Sequence, residues 1–163
     1  HIWHVYESYK LVDPSASGTL SGTVKSFNST TDPVTVQLFK SGSTAAAYTT
    51  TVKGTSANYT LSGIAAGTYT MKVSKKNHVT REYTITVGTQ AVTQNVQINL
   101  KGDINGDGRV NISDVNRANL HTKGRSTLTG YEFACADTNG DGRVNISDVN
   151  KLNLHVKGKS LLW

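Results

Sequence analysis

Residues 103–125 and 137–159 are near-duplicates, offset by 34 positions. The first opens D-I-N-G-D-G-R-V-N-I-S-D over Asp103–Asp114, the second D-T-N-G-D-G-R-V-N-I-S-D over Asp137–Asp148. They run on as VNRANLHTKGR from Val115 and VNKLNLHVKGK from Val149. Only five positions differ: Ile104/Thr138, Arg117/Lys151, Ala118/Leu152, Thr122/Val156 and Arg125/Lys159. Each copy is too short to bury an apolar stripe on its own. The duplication therefore commits this part of the chain to two like units packed on each other.

Each copy begins with oxygen donors spaced as a hard cation needs them. Ca²⁺ takes ~6–8 oxygen ligands at ~2.3–2.6 Å, and EF-hand loops supply them from positions 1, 3, 5, 7, 9 and 12. In the first copy these are Asp103, Asn105, Asp107, the backbone carbonyl of Arg109, Asn111 and Asp114. In the second they are Asp137, Asn139, Asp141, the carbonyl of Arg143, Asn145 and Asp148. Gly108 and Gly142 stand at position 6, where the chain turns sharply and a Cβ would cost energy. Val110 and Val144 follow as apolar anchors. Position 12 departs from the usual loop in carrying Asp rather than Glu, and the shorter carboxylate calls for a tighter loop. Either loop alone could be an Asx/Gly-rich surface turn. Two copies with every donor position filled argue for two Ca²⁺ ions.

A helix is expected after each loop. At ~100° per residue, Val149, Leu152, Asn153 and Val156 share one stripe, matched by Val115, Ala118, Asn119 and Thr122. The two stripes can pack on each other and on Val110/Val144 as a small two-fold core. Leu120 and Leu154 fall ~140° off that stripe. On the same outer face stand Ser113, Asn116, Arg117 and Gly124, then Ser147, Asn150, Lys151 and Gly158. A small apolar and basic patch repeated on both helices has the make-up of a protein-docking surface.

Paired D-x-N-x-D-G-x-x-N-x-x-D loops, each followed but not preceded by a full helix, resemble the dockerin modules of cellulosomal proteins, with two "F-hand" half EF-hands over about 102–163. Thrombospondin-type and RTX calcium repeats stack shorter acidic loops without such helices and fit worse. The resemblance implies calcium-dependent docking onto a cohesin module of a scaffoldin or cell-surface anchoring protein, in an extracellular, bacterial-surface or cellulosome-associated setting devoted to polysaccharide degradation. It places partner selectivity on the end of each loop and the helix behind it: Ile112, Ser113, Asn119, Leu120 and Gly124, then Ile146, Ser147, Asn153, Leu154 and Gly158. Each of these pairs is identical between copies, so either helix could meet the same partner after a half turn. A neighbouring module touching the partner would remove that degeneracy.

Residues 1–101 are different material, rich in Thr, Ser, Val, Tyr and Gly with period-2 runs between turn signals. Seven strands are expected: 19–27, 34–40, 45–52, 58–61, 67–74, 80–87 and 91–100. Val34, Val36 and Leu38 alternate with Thr35, Gln37 and Phe39, and Tyr69, Met71 and Val73 with Thr70, Lys72 and Ser74. Such spacing argues for a β-sandwich with one solvated face per sheet. The stretch from Tyr59 to Val87 resembles carboxypeptidase-regulatory-like or Cna-B-type domains, a prealbumin-like sandwich. That resemblance nominates Lys25, Asn99 and Glu82 for an isopeptide bond, against the plainer reading of Lys25 as an exposed lysine. A sandwich directly before a dockerin resembles an X-module–dockerin dyad, in which the X-module stabilises its neighbour. The expected organisation is an N-terminal segment or extra strand (1–17, with Trp3, Tyr6 and Tyr9), an all-β sandwich (18–100) and a small α-helical dockerin (101–163). Asn99–Gly102 leaves almost no linker, so the modules should sit rigidly together.

The chain carries 17 Lys and Arg against 11 Asp and Glu, a net charge of +6. Six of those acids are loop donors. The lysines are scattered, with Lys75-Lys76 the longest run, and no aromatic-basic interleaving marks a nucleic-acid partner. They read as solvated. No run approaches a membrane span, no signal peptide is visible, and a monomer is expected away from its partner. Cys135, the sole cysteine, reads as a buried small hydrophobe. Catalysis finds no footing, because glycosidic chemistry needs two carboxylates aimed at one bond. Outside the loops stand only Glu7, Asp13, Asp32, Glu82 and Glu132, and His78, His121 and His155 lack a nucleophile at motif spacing. The alternative to docking is a carbohydrate-binding or cell-surface adhesive module with structural calcium. Ser160–Trp163 is apolar and should fold back, with Trp163 covering residues near Leu100–Ile104.

Overall fold

The computed structural model describes residues 17–163; the expected extra strand or linker carrying Trp3, Tyr6 and Tyr9 lies outside the described residues. A two-sheet β-sandwich is followed by a region of helices. One sheet is built around β1 (Ser17–Lys25), with β4 (Ser56–Ala65) antiparallel on one side and β7 (Ala91–Thr93) and β8 (Val96–Gln97) parallel on the other. The other runs β3 (Tyr48–Lys53), β2 (Pro33–Lys40), β5 (Gly67–Ser74), β6 (Arg81–Val87), all antiparallel.

The period-2 pattern is what fills the space between the sheets. Val34, Val36 and Leu38 point inward from β2, Tyr69, Met71 and Val73 from β5, and Leu20, Tyr59 and Ile64 from the facing sheet. Their alternating partners, among them Thr35, Gln37, Thr70 and Lys72, lie on the outer, more accessible faces. Two phenols finish one end of this core. Tyr69 Oη donates to the carbonyl of Ala65 at 2.6 Å, and Tyr48 Oη accepts the Ala65 N–H at 2.9 Å.

The strand expected over 91–100 is instead two short ones. At the break, Tyr59 Oη donates to the Gln94 carbonyl at 2.6 Å and the Asn95 side chain accepts the Thr23 N–H at 3.1 Å. Gly22 permits the approach, because a Cβ there would lie 2.2 Å from the Gln94 oxygen. Alternation in the sequence says nothing of this bend, nor of the parallel direction of β7 and β8.

Three helices follow: α1 (Ile112–Thr122), α2 (Gly130–Ala136) and α3 (Ile146–Val156). α1 and α3 are the expected pair. Val115 and Ala118 meet Val149 and Leu152 in a core that also takes Ile104, Leu128, Cys135 and Ala136. α2 lies in the connector and has no counterpart in the second copy. Both long helices stop alike. Gly124 and Gly158 adopt φ +70°, donating to His121 O and His155 O, while Arg125 and Lys159 donate to Leu120 O and Leu154 O. These are Schellman caps, and only glycine takes that φ without strain. His121 and His155 then serve one structural purpose, each Nδ1 accepting a backbone N–H seven residues on, from Leu128 at 2.9 Å and Leu162 at 3.0 Å.

The chain end folds back as expected. Leu162 packs against the helical core, and Trp163 Nε1 donates to the Lys101 carbonyl at 3.3 Å with its ring against His155. The junction is equally short of slack. Leu100 bridges His78, and Val79 N–H donates to Asn99 O. From α2, Tyr131 Oη donates to Val79 O at 2.6 Å and accepts the Asn99 N–H at 2.8 Å. Arg81 lies over its ring at 4.5 Å.

Cys135 is buried in this core, and burial pushes its thiol up to about 12. A thiolate is the reactive form. In native protein at pH 8, Cys135 should resist a disulfide-exchange reagent for hours and react within minutes once denaturant is added. Rapid native labelling would contradict this packing.

Candidate functional site

The two loops are each organised around their first and last carboxylates. Asp103 accepts backbone N–H bonds from Gly106 (3.0 Å), Asp107 (3.2 Å) and Gly108 (2.8 Å). Asp137 does the same for Gly140 (3.1 Å), Asp141 (3.2 Å) and Gly142 (2.8 Å). Asn105 and Asn139 each accept from the residue two on, Asp107 and Asp141. Gly108 and Gly142 sit at φ +86° and +82°, the left-handed turn that favours glycine at position 6. At the far end of each loop the helix begins in a capping box, Asn111 with Asp114 and Asn145 with Asp148. One carboxylate therefore closes the loop and starts the helix together.

These bonds bring three carboxylates per loop to one spot. Oxygens of Asp103, Asp107 and Asp114 lie within 4.8 Å of one another, as do those of Asp137, Asp141 and Asp148. Burial pushes the Asp103 carboxyl up to about 6, with the Asp114 and Asp107 charges acting the same way, and burial raises Asp114 too. An all-oxygen donor set of this kind fits a hard divalent cation and no soft one. Asn105, Asn111, Asn139 and Asn145 stand in the same loops, the Asn111 and Asn145 side chains accepting the Ser113 and Ser147 N–H as helix caps.

The outer helix faces are exposed in matched pairs. Leu120 and Leu154 are 41% and 40% accessible, Ile112 and Ile146 56% and 60%. Ser113, Asn116, Ser147, Asn150 and Lys151 are exposed beside them, and Asn119 and Asn153 are half-buried toward the seam. Arg117 differs from Lys151 in being paired, its guanidinium 2.6 Å from Glu132 of α2. Gly124 and Gly158 have a backbone reason to be glycine, as helix stops. The K-G-R and K-G-K triplets after each helix carry that signal in the sequence.

Where the loops meet the sandwich, they part company. Phe27 lies against Gly108, and Gln97 Nε2 donates to Gly106 O at 3.0 Å. Phe27 is itself held by its backbone. Its N–H donates to His78 Nε2 at 3.0 Å, and its carbonyl accepts from Lys75 Nζ at 3.1 Å. Lys75 also donates to Ser26 Oγ and Ser29 O, and is buried. The expected solvated pair thus holds only for Lys76; Lys75 is a cross-brace, because three oxygens converge where its ammonium ends. The isopeptide nomination fails to find support, since Lys25 is exposed with its ammonium over the Phe27 ring and Glu82 faces solvent.

Residues 101–157 match the family model of the dockerin type I domain. The C-terminal part of the chain is therefore a dockerin, a class of domain to which calcium binding belongs. No curated protein matches the chain. Two solved structures are similar to it, the C-terminal and the N-terminal interface mutants of a type II cohesin–X-dockerin complex from Acetivibrio cellulolyticus. They are 21% and 23% identical, each covering 85% of this chain and 94% of its own, with TM-scores of 0.40. The assignment rests on the family match. No helix among the described residues is long and apolar enough to cross a membrane.

His78 generates a pH prediction. Its Nδ1 faces the Lys76 carbonyl at 2.7 Å and its Nε2 accepts from Phe27, so the ring is neutral. Burial lowers its pKa below the ordinary value near 6.5. A depressed folded pKa gives stability that is present above the unfolded value of ~6.5 and lost as pH falls through the folded one. In saturating calcium, the melting temperature should drop between pH 7.5 and 5, and His78→Gln should flatten that slope. Equal slopes would refute it.

Proposed function

We propose that this chain is an X-module–dockerin pair whose work is calcium-dependent docking onto a cohesin, with the sandwich (18–100) stabilising the dockerin (101–163). The observation that carries the reading is the matched exposure of Ile112/Leu120 and Ile146/Leu154 on a dockerin scaffold. Apolar side chains held in water at equivalent places on both copies have no use in the core, and they suit a partner's surface. Ser113, Asn116, Arg117, Asn119 and Gly124, with Ser147, Asn150, Lys151, Asn153 and Gly158, would form the rest of each face.

Two Ca²⁺ ions are assigned, one to Asp103, Asn105, Asp107, Arg109 (carbonyl), Asn111 and Asp114, the other to Asp137, Asn139, Asp141, Arg143 (carbonyl), Asn145 and Asp148. When bound, calcium supplies the positive charge that offsets each trio of carboxylates. The chain's own residues do the remainder: the Asp103 and Asp137 carboxylates wind the loops, and the capping boxes start the helices that carry the docking face. Metal binding is in this way folding free energy. The setting would be extracellular, where calcium fills such loops, and the chain acts by binding rather than by catalysis. A carbohydrate-binding role gains little from the sandwich, because Lys72 lies over the Phe39 ring and Arg81 over the Tyr83 ring.

Calorimetry against a panel of cohesins tests this. Chelator should abolish binding, as should Asp103→Ala combined with Asp137→Ala, which leaves neither half-site able to fold. Leu120→Asp or Leu154→Asp alone should cost about twofold, because the other face remains. The double substitution should cost about 30-fold or more, the ~2 kcal/mol of a hot spot, with calcium affinity kept. Undiminished binding by the double variant would remove this face from the interface.

A further inference from the structure

We infer that the sandwich makes the two loops unequal, so that the first is the tighter calcium site and Phe27 and Gln97 are positioning residues for it. The inference rests on the calcium assignment above. The two twelve-residue loops differ only at Ile104/Thr138, where the Thr138 hydroxyl donates to Asp148 and the Ile104 N–H to Asp114. The larger differences therefore come from what surrounds them. Around the first, a Cβ on Gly106 would lie 2.7 Å from Gln97 Nε2, and one on Gly108 would lie 2.6 Å from the Phe27 ring. At the equivalent Gly140 and Gly142, nothing stands within 4 Å. Asp103 is fully buried whereas its counterpart Asp137 is half-buried, while Asp107 and Asp141 are both exposed.

Both contacts are held from behind. Arg81 Nη1 donates to Gln97 O at 2.9 Å, and Lys75 and His78 fix the backbone of Phe27. Groups that orient a metal's ligands without touching the metal shift its affinity by about 10- to 100-fold when removed, and a loop ordered beforehand spends less of the binding energy on ordering. The second loop has to order itself. As free calcium falls, it empties first, and α3 loses its N-terminal anchor while α1 keeps its own. Calcium level then decides whether one docking face or two are formed.

The amides of Gly108 and Gly142 report each loop separately, since both donate to the first Asp at 2.8 Å. The full chain, ¹⁵N-labelled, is titrated with CaCl₂ from the metal-free state. Gly108 should reach its midpoint at about tenfold lower free calcium than Gly142 or less. Gln97→Ala and Phe27→Leu should move the Gly108 midpoint about tenfold toward that of Gly142, leaving Gly142 in place. Coincident midpoints in the unaltered chain overturn the inference, as does an equal shift of both glycines in the variants. Should Phe27→Leu disturb the sandwich's own amides, Gln97→Ala alone decides. If neither glycine responds to calcium, the metal assignment falls and this inference with it.

Discussion

Three carboxylates drawn within 4.8 Å of one another at the head of each long helix are the condition on which the C-terminal half of this chain depends. Left to themselves, like charges at that distance repel. They are held there by backbone N–H groups that wind each loop about its first Asp, and by a capping box that ties its last Asp to the helix start. Because the same Asp closes the loop and caps the helix, the order of each loop and of the helix behind it is tied to one residue. The helix faces, and so the docking surface proposed on them, inherit their order from it.

The sandwich contributes order of another kind. Its own core is closed by aliphatic residues and by tyrosines whose hydroxyls find backbone partners, so it does not need the metal. Through Tyr131, Leu100 and the Phe27–Gln97 contacts it presents the helical half with a surface already in place. A thin two-helix core gains most from such a neighbour, because little of its surface is otherwise buried.

Much of this was legible in the sequence where chemistry repeats. The clustered carboxylates, the two stripes and the outward leucines follow from spacing, the returning C-terminus from its apolar residues, and the alternation of β2 and β5 marks their buried faces. What was not legible depends on distant approach. Lys75 reads as a surface lysine until Ser26, Phe27 and Ser29 are seen to converge on it. His78 and Phe27 carry no motif, being 51 residues apart and joined only by the fold. The strand over 91–100 breaks because Gly22 lets the backbone of Gln94 come close, and a glycine in a strand is a faint cue for that. α2 is too short for periodicity to declare it.

The meeting of Trp163 with Lys101 has a consequence for how such a unit can be moved between proteins. The indole of the last residue reaches the first carbonyl of the helical half at 3.3 Å, so entry and exit lie side by side. A unit with adjoining ends can be spliced into a surface loop of an unrelated host without being stretched, or permuted by joining those ends and cutting elsewhere. The natural place for such a cut is the exposed connector at Ser126–Thr127, which lies between the two copies and belongs to neither helix. Portability is thereby a property of the closure itself, separate from anything the docking faces do.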